Sequence, residues 1–196
     1  EVHHRIKNNL QGVAGLLQQT ARVRPQLAGL LTEVVGQIQA IAQVHGLQMR
    51  ARDAIPLADM LNNVLGNAAS LLDSKLPVSF SGNALTRMRL PEQEAVPVAL
   101  VVTELATNAI KYRASGTEAR AALSCGDDGA ELVIANQGQL PAGFSFATLA
   151  RSTNGLGLVK SLLPRRGGSL TIAQEGEEVV VRMRLIAPAI GFDDAS

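Results

Sequence analysis

Apolar residues recur every three or four positions from about residue 2 to residue 23, which predicts an amphipathic helix. These positions are Ile6, Leu10, Val13, Leu16, Leu17 and Ala21. Pro25 marks a break, because proline is tolerated at the start of a helix but not in its interior. The spacing resumes as far as about residue 49, on Leu27, Leu30, Leu31, Val34, Ile38, Ile41 and Val44. The pattern therefore predicts two long helices that lie antiparallel as a hairpin.

Both predicted helices carry broad apolar stripes, and two helices alone bury only part of such stripes. Pairing with a second copy into a four-helix bundle is the simplest way to bury the remainder. We therefore expect a homodimer formed through residues 1–50.

The pattern changes after about residue 52, where we expect a boundary between residues 1–52 and residues 53–196. Helical spacing recurs at about residues 57–71, 94–112 and 157–163. Strands are predicted in PVSFSG and LTRMRLP, and strand–turn–strand units in AALSCGDDGAELVIANQG and SLTIAQEGEEVVVRMRLI. The predicted fold class is α+β, with the hairpin followed by an α/β sandwich whose helices cover one face of a mostly antiparallel sheet.

Composition narrows the classes of function. Aromatic residues make up 3% of the chain, so the core must consist of Leu, Val, Ile and Ala. A formal net charge of +1 argues against nucleic acid as a partner. The single cysteine, Cys125, cannot form an intrachain disulfide, and no Cys/His cluster has zinc spacing. These features fit the cytoplasm.

We expect no direct membrane contact, because no apolar run reaches the roughly 20 residues that span a bilayer. The chain has no initiating Met and opens inside a helical pattern. It is therefore expected to be a fragment of a longer protein, such as the cytoplasmic part of a sensor whose upstream domain is missing.

The stretch TELATNAIKY carries a polar ridge. On a helix, Glu104, Asn108 and Lys111 lie at i, i+4 and i+7 and share one side. A carboxylate, an amide oxygen and an ammonium group on one line suit hydrated Mg²⁺ and adjacent phosphates. An ordinary amphipathic helix with a polar surface explains the decapeptide equally well.

Two further stretches are weak signals alone. In NGLGLVKSLL, Gly155 and Gly157 precede a helical run, where backbone N–H groups can approach an anion. In VIANQGQLP, a strand ends in Asn136 and a turn that contains Gly138. A chance glycine pair and an ordinary loop account for them as simply.

The chain opens with EVHHRIKNNLQ. His3 and His4 differ by about 100° around a helix, so they are poor ligands for one metal ion. A neutral imidazole is nucleophilic near pH 7, which suits a phosphate carrier. His45, late in the second helix, favours a structural role.

The order of these stretches resembles the sensor histidine kinases of two-component systems. HHRIKNNLQ is similar to the subfamily called HisKA_2 or HWE-related, in which His-Arg replaces the commoner His-Glu. AIAQVHGLQM and VPVALVVTELATNAIKY also resemble segments of this subfamily, so the likeness covers essentially the whole chain. The resemblance implies a dimerisation and phosphoacceptor hairpin followed by a GHKL-type ATP-binding domain.

The resemblance also implies roles for individual residues. His4, directly before the Arg, would be the phosphoacceptor in preference to His3, with Arg5 and Lys7 beside the phosphohistidine. In the N box, Asn108 would coordinate Mg²⁺ and Glu104 would position or activate water or metal, so ATP and Mg²⁺ are the implied cofactors. The remaining nucleotide-binding positions would be Lys111, Tyr112, Asn136, Gly138, Gly155, Gly157 and Leu158. A lid would run from about Phe144 to Asn154.

One motif departs from the family pattern, D-x-G-x-G, whose Asp accepts a hydrogen bond from the adenine amino group. Alternation along Leu132 and Ile134 turns Asn136 inward at the Asp position and leaves N-x-G-x-L as far as Leu140. An amide oxygen can still accept that bond, although without charge assistance. An alternative alignment puts Ala135 at the Asp position and removes the contact.

The function implied is ATP-dependent autophosphorylation of a histidine, followed by phosphoryl transfer to an aspartate of a response-regulator receiver domain. The alternative is a dimeric phosphotransfer relay protein with a degenerate ATP-binding domain, which receives its phosphoryl group from another protein.

Overall fold

The structure of the chain, a computed structural model, describes residues 2–49, 54–152 and 155–193, and the side chains from Arg5 onward. The boundary expected between residues 52 and 53 lies outside the described residues. Five helices are α1 (Val2–Val23), α2 (Ala28–Gln48), α3 (Leu57–Leu71), α4 (Glu92–Lys111) and α5 (Gly155–Leu162). The strands are β1 (Ala54–Pro56), β2 (Val78–Ser81), β3 (Met88–Pro91), β4 (Arg120–Gly126), β5 (Gly129–Gln137), β6 (Gly168–Glu175), β7 (Glu178–Leu185) and β8 (Gly191–Phe192).

The predicted hairpin is confirmed. A short 3₁₀ turn, Pro25–Leu27, links α1 to α2, and α1 packs along α2. The backbone N–H of Arg24 donates to the carbonyl of Thr20 at 2.9 Å, which closes the last turn of α1. Proline lacks a backbone N–H, and the first residue of a 3₁₀ turn needs none. The helices are therefore interrupted at Pro25, as the sequence predicts.

The second side of α2 packs against α3 and α4, so the hairpin is not separate from the rest of the fold. Buried residues on this side include Val35, Gly36, Ala40 and Val44. A Cβ at Gly36 would lie 3.1 Å from Cδ2 of Leu71, so glycine lets α2 approach α3 closely.

By length and mean hydropathy, 1.3 over its most apolar window, helix Pro25–Gln48 could cross a membrane. The sequence prediction of no such segment was therefore too strict, because it counted only uninterrupted apolar runs. Packing against α1, α3 and α4 accounts for the apolar composition of α2 in this fold.

A five-stranded sheet in the order β2-β4-β5-β7-β6 forms one layer. All its pairs are antiparallel except β2 with β4, which is parallel. The predicted mostly antiparallel sheet is thus confirmed. Alternate residues of β4, namely Ala121, Leu123 and Cys125, are buried under the helices, as period-two patterning requires.

The three-stranded sheet β1-β3-β8 was not predicted. It contains LTRMRLP, which pairs with the segment after the hairpin and with Gly191–Phe192 near the end of the described chain. Strands of two to four residues are too short to show a period, so pairing across distant parts of the chain decides this sheet.

The core lies between the five-stranded sheet and helices α3, α4 and α5. Its largest fully buried side chains are aliphatic or sulfur-containing, as the low aromatic content predicts: Leu61, Leu65, Leu105, Leu123, Ile134 and Met183 among them.

Candidate active site

The polar ridge of α4 is present, and its exposure increases along the helix. Glu104 is 3% exposed, Asn108 is half-buried and Lys111 is exposed. The opposite side of α4 carries Val101 and Leu105 into the core. Lys111 lies in the last turn, where a cation interacts favourably with the helix dipole. The helix therefore presents an amide and an ammonium group at its C-terminal end, with the carboxylate buried behind them.

The Glu104 carboxylate has a partner on the hairpin. Nε2 of Gln37 donates a hydrogen bond to Oε1 of Glu104 at 2.8 Å. Burial raises the pKa of Glu104, the bond from Gln37 lowers it, nearby Glu33 raises it, and Lys111 lowers it. The net effect is a raised pKa, because desolvation of the carboxylate is the largest of these contributions.

Asn136 is turned inward at the end of β5, as the alternation along this strand predicts. It is 4% exposed, and its Nδ2 donates to the backbone carbonyl of Gln137 at 3.1 Å. Within the described part of the chain, no group donates a hydrogen bond to its Oδ1. That oxygen can therefore accept a hydrogen bond from a ligand, as an adenine amino group would require.

The turn after β5 is pressed against the end of α4. A Cβ at Gly138 would lie 2.8 Å from the carbonyl oxygen of Tyr112 and 2.9 Å from Nδ2 of Asn136. The N–H of Ala114 donates to the carbonyl of Gln137 at 2.7 Å, which joins the two segments. Only glycine fits at position 138, while the Tyr112 residue is 74% exposed beside this turn.

The segment before α5 is fastened onto that helix. A Cβ at Gly157 would lie 2.1 Å from Oγ of Ser152, so the glycine lets the segment lie directly on the first turn. Nζ of Lys160 donates to the carbonyls of Ala147 and Leu149 at 2.5 and 2.6 Å. Residues 144–152 are thus held closed over α5, while residues 153 and 154 of the predicted lid lie outside the described residues.

The motifs of the second half meet at one end of the helix layer. Helix α5, with Gly155, Gly157 and the half-buried Leu158, packs against α4, and β5 reaches the same helix. Asn108, Lys111 and Tyr112 lie at its C-terminal end beside the β5 turn. These contacts bring the elements that carry the predicted nucleotide-binding residues together.

The side chains of His3 and His4 lie outside the described residues, although both belong to the first turn of α1. The Lys7 side chain comes within 3.6 Å of a Cβ placed on Gly46. Gln37, which binds Glu104, lies nine residues before Gly46 on α2, and His4 lies one helical turn before Lys7 on the antiparallel α1. At 1.5 Å per residue, the backbone of His4 is therefore about 18 Å from the level of Glu104 along the hairpin axis.

Two residues of the site were missed in the sequence. Gln37 and Gln174 occupy polar positions of a helix and a strand, which carry no motif. Gln174 bonds to the turn after β5, and Gln37 to Glu104. Only the fold reveals these contacts, since their partners are 67 residues away for Gln37 and 34 or 36 for Gln174.

Residues 1–72 match the sequence profile of a family described as histidine kinase, HisKA_2. The histidine kinase domain of the blue-light-activated histidine kinase EL346 from Erythrobacter litoralis shares the fold, with a TM-score of 0.65 at 15% identity, over 94% of this chain and 93% of that one. The Acinetobacter baumannii histidine kinase AdeS shares it with a TM-score of 0.53 at 16% identity, over 94% and 96%.

These likenesses agree with the resemblance to sensor histidine kinases that the motifs of the sequence carry. It is similar to the sensor histidine kinase PdtaS of Mycobacterium tuberculosis, with 30% identity over 198 residues that cover 93% of this chain. PdtaS of Mycolicibacterium smegmatis is 31% identical over 200 residues. The chain spans 38% of the length of these relatives.

Proposed function

We propose that this chain is the core of an ATP-dependent protein-histidine kinase. Residues 1–52 serve as the dimerisation and phosphoacceptor unit, and residues 53–196 bind ATP. His4 accepts the γ-phosphoryl group and passes it to an aspartate of a response-regulator receiver domain. The protein acts in the cytoplasm, as part of a longer sensor protein.

One observation carries the proposal: the turn at Gly138, next to the buried, inward-facing Asn136, lies against Tyr112 at the end of α4, the helix that carries Asn108 and Lys111. Oδ1 of Asn136 would accept a hydrogen bond from the adenine amino group. Lys111, one turn beyond Asn108, would supply positive charge to the phosphates. Phosphoryl transfer demands mostly positioning and neutralisation of charge, and these residue types provide both.

In the chemical step, an unprotonated ring nitrogen of His4 bonds to the γ-phosphorus as the bond to the β-phosphate oxygen breaks. ADP leaves with that electron pair. Arg5 and Lys7, in the same part of α1, would stabilise the anionic phosphohistidine. Glu104 would position or activate the reacting groups from the middle of α4.

The donor set at the end of α4 fits magnesium, which prefers oxygen ligands and retains several waters. Asn108 would hold Mg²⁺ directly and Glu104 through water. When bound, the ion neutralises phosphate charge. Among the described residues, no cluster of three or more His, Cys, Asp or Glu could hold a metal ion alone, so the phosphates of ATP would supply the remaining ligands.

Transfer requires a change in the relation of the hairpin to α4. Reacting atoms must approach to about 3–3.5 Å, whereas the backbone of His4 lies about 18 Å from the level of Glu104 along the hairpin. Either the hairpin moves relative to α4, or the second subunit of a dimer supplies the histidine.

Exposed apolar side chains on the hairpin support dimerisation. Val13, Leu16, Val23 and Leu30 are 46–75% exposed, an unusual state for large aliphatic groups that share two adjacent helices. A second hairpin packed on this surface would complete a four-helix bundle.

The test is incubation of the purified chain with Mg²⁺ and γ-labelled ATP, followed by assay for acid-labile, base-stable label. The expected result is label that disappears in His4→Gln and persists in His3→Gln. Label retained by His4→Gln would contradict the assignment of the phosphoacceptor. Transfer is then measured with purified receiver domains from response regulators.

Leu140, in place of the second glycine of D-x-G-x-G, favours a second candidate, a relay protein that does not autophosphorylate. In that case the chain takes no label at millimolar ATP and shows no thermal shift with nucleotide. His4 would still accept a phosphoryl group from another phosphorylated protein.

A further inference from the structure

The segment that follows β5 is held by a single side chain from β6. Leu140 donates its backbone N–H to Oε1 of Gln174 at 2.9 Å, and Nε2 of Gln174 donates to the carbonyl of Gly138 at 3.1 Å. The same Nε2 donates to the carbonyl of Gly176 at 2.9 Å, which fixes the carboxamide to its own hairpin. All the polar atoms of the carboxamide are therefore used.

This pairing has the form of a β-bridge. In such a bridge, a residue accepts a hydrogen bond from one N–H of the neighbouring strand and donates one to the carbonyl two residues away. The side chain of Gln174 does the same, with the N–H of Leu140 and the carbonyl of Gly138. A carboxamide side chain supplies the donor and the acceptor that this pairing needs. The N–H of Gly138 also donates to the carbonyl of Glu177 at 3.0 Å, which continues the contact along the β6–β7 hairpin.

The clamped segment, residues 138–140, lies between the end of α4 and the β6–β7 hairpin. On one side Gly138 touches the carbonyl of Tyr112 at the end of α4. On the other side lie Gln174 and Glu177 of the β6–β7 hairpin. Leu140 has no left-handed backbone, since Asp73 is the only non-glycine residue with positive φ among those described. Hydrogen bonds, and not a second glycine, therefore fix the backbone conformation of this segment.

Gln174 also shares a row of the sheet with Asn136. Asn136 is directly opposite Val179 in the β5–β7 pair, and Val179 is directly opposite Gln174 in the β6–β7 pair. Directly opposed residues lie on one face, so all three side chains belong to the face that carries the helices. With strands about 4.8 Å apart, the backbones of Asn136 and Gln174 are about 10 Å apart.

We infer that Gln174 is a positioning residue for the nucleotide: it clamps residues 138–140 against the adenine side of the site, where the family pattern has a second glycine. This inference rests on the proposed ATP binding. Gln174 acts through the backbone of the segment, which borders the base next to Asn136, and it leaves the phosphates to the residues of α4 and α5.

The experiment uses the full chain and compares two variants. Gln174→Met removes all three hydrogen bonds of the carboxamide at similar side-chain length. Gln174→Glu keeps the acceptor but places a carboxylate beside the carbonyl of Gly138. Thr171→Met, at an exposed position on the same strand, is the matched control. Dissociation constants of ATP and ADP with Mg²⁺ are measured by calorimetry, and melting temperatures by thermal unfolding.

Gln174→Met loses both bonds to residues 138–140, whereas Gln174→Glu loses the bond to Gly138 and adds repulsion between a carboxylate and that carbonyl. Each change predicts about tenfold weaker binding. ATP and ADP should weaken by the same factor, because the clamp acts on the base side. The KM for ATP should rise while the rate of phosphorylation at saturating ATP stays unchanged, and the melting temperature should follow that of the control.

Binding by Gln174→Met within twofold of wild type would overturn the inference while leaving ATP binding established. Weakening of ATP without ADP would overturn it as well, since that pattern belongs to a phosphate contact. A wild-type chain that binds neither nucleotide would overturn the proposed function itself, and the inference with it.

Discussion

Gln37 of the hairpin donates a hydrogen bond to the buried carboxylate of Glu104 at 2.8 Å, across 67 residues of sequence. The bond ties α2 to the middle of α4. Glu104 is 3% exposed, so the bond from Gln37 replaces part of the solvation that the carboxylate loses on burial.

Replacement of Gln37 by Leu should destabilise the chain by about 1–3 kcal/mol, because the variant leaves a buried carboxylate without its donor. Urea denaturation at pH 7 measures this change. Gln19→Leu, at an exposed position of α1, is the control and should stay within about 0.5 kcal/mol of wild type. Equal stability of Gln37→Leu and wild type would show that the bond contributes nothing to folding.

The raised pKa of Glu104 predicts how its effect on stability varies with pH. The folded state holds the proton more tightly than the unfolded state, whose value is 4.5. Stability linked to this group is therefore fully present below pH 4.5 and is lost as the pH rises through the folded pKa. Glu104→Gln should unfold at higher urea than wild type at pH 7, and this advantage should shrink towards pH 4.5.

The control for Glu104→Gln is Glu118→Gln at an exposed position. It should shift the urea midpoint little at either pH. A Glu104→Gln variant that is less stable than wild type at pH 7 would contradict desolvation as the dominant influence on this carboxyl group.

Alanine at position 138 should weaken nucleotide binding and lower stability by about 1–3 kcal/mol, because its Cβ would meet the Tyr112 carbonyl 2.8 Å away. Gly66→Ala gives a control of opposite sign. Gly66 lies within α3 with no atom within 4 Å of a Cβ placed there, so alanine should stabilise the chain by about 0.5–1 kcal/mol. Thermal unfolding and ATP titration measure both effects. Normal ATP affinity in Gly138→Ala would separate this turn from the nucleotide site.

Glutamate in place of Leu16 should shift the chain from dimer to monomer, because it puts a charge on the exposed apolar surface of the hairpin. Leu16 is 66% exposed, so its replacement should leave the fold of the protomer intact. Sedimentation measures the association state and circular dichroism the fold. Ile186→Glu, at a residue 41% exposed and remote from the hairpin, should leave the association state of wild type unchanged. A Leu16→Glu chain with wild-type mass in solution would exclude this surface as the dimer contact.

The long helices and strands could be predicted from the sequence because each contains several repeats of its hydrophobic period. Both hairpin helices, α4 and the two strand–turn–strand units fall close to their predicted bounds, and alternation along β5 orients Asn136 correctly. The three-stranded sheet β1-β3-β8 escaped prediction because its members are short and come together only in the fold.

The sequence indicates candidate site residues wherever a motif marks them, and these stay predictions. Gln37 and Gln174 were missed because each acts on a partner far away in sequence, through an amide that any polar surface position can carry. The burial of Glu104 by the hairpin was missed for a related reason: the sequence indicates two domains but not the manner in which one packs on the other.

Helix α2 packs against both halves of the fold, with α1 on one side and α3 and α4 on the other. A turn of α2 about its axis by one residue, about 100°, would carry Gln37 out of reach of Glu104. Rotation of α2 would therefore change the hydration and charge of the Glu104 carboxyl group in the middle of α4. Rotation of this one helix would thus alter the surroundings of a candidate site residue in the second half of the chain.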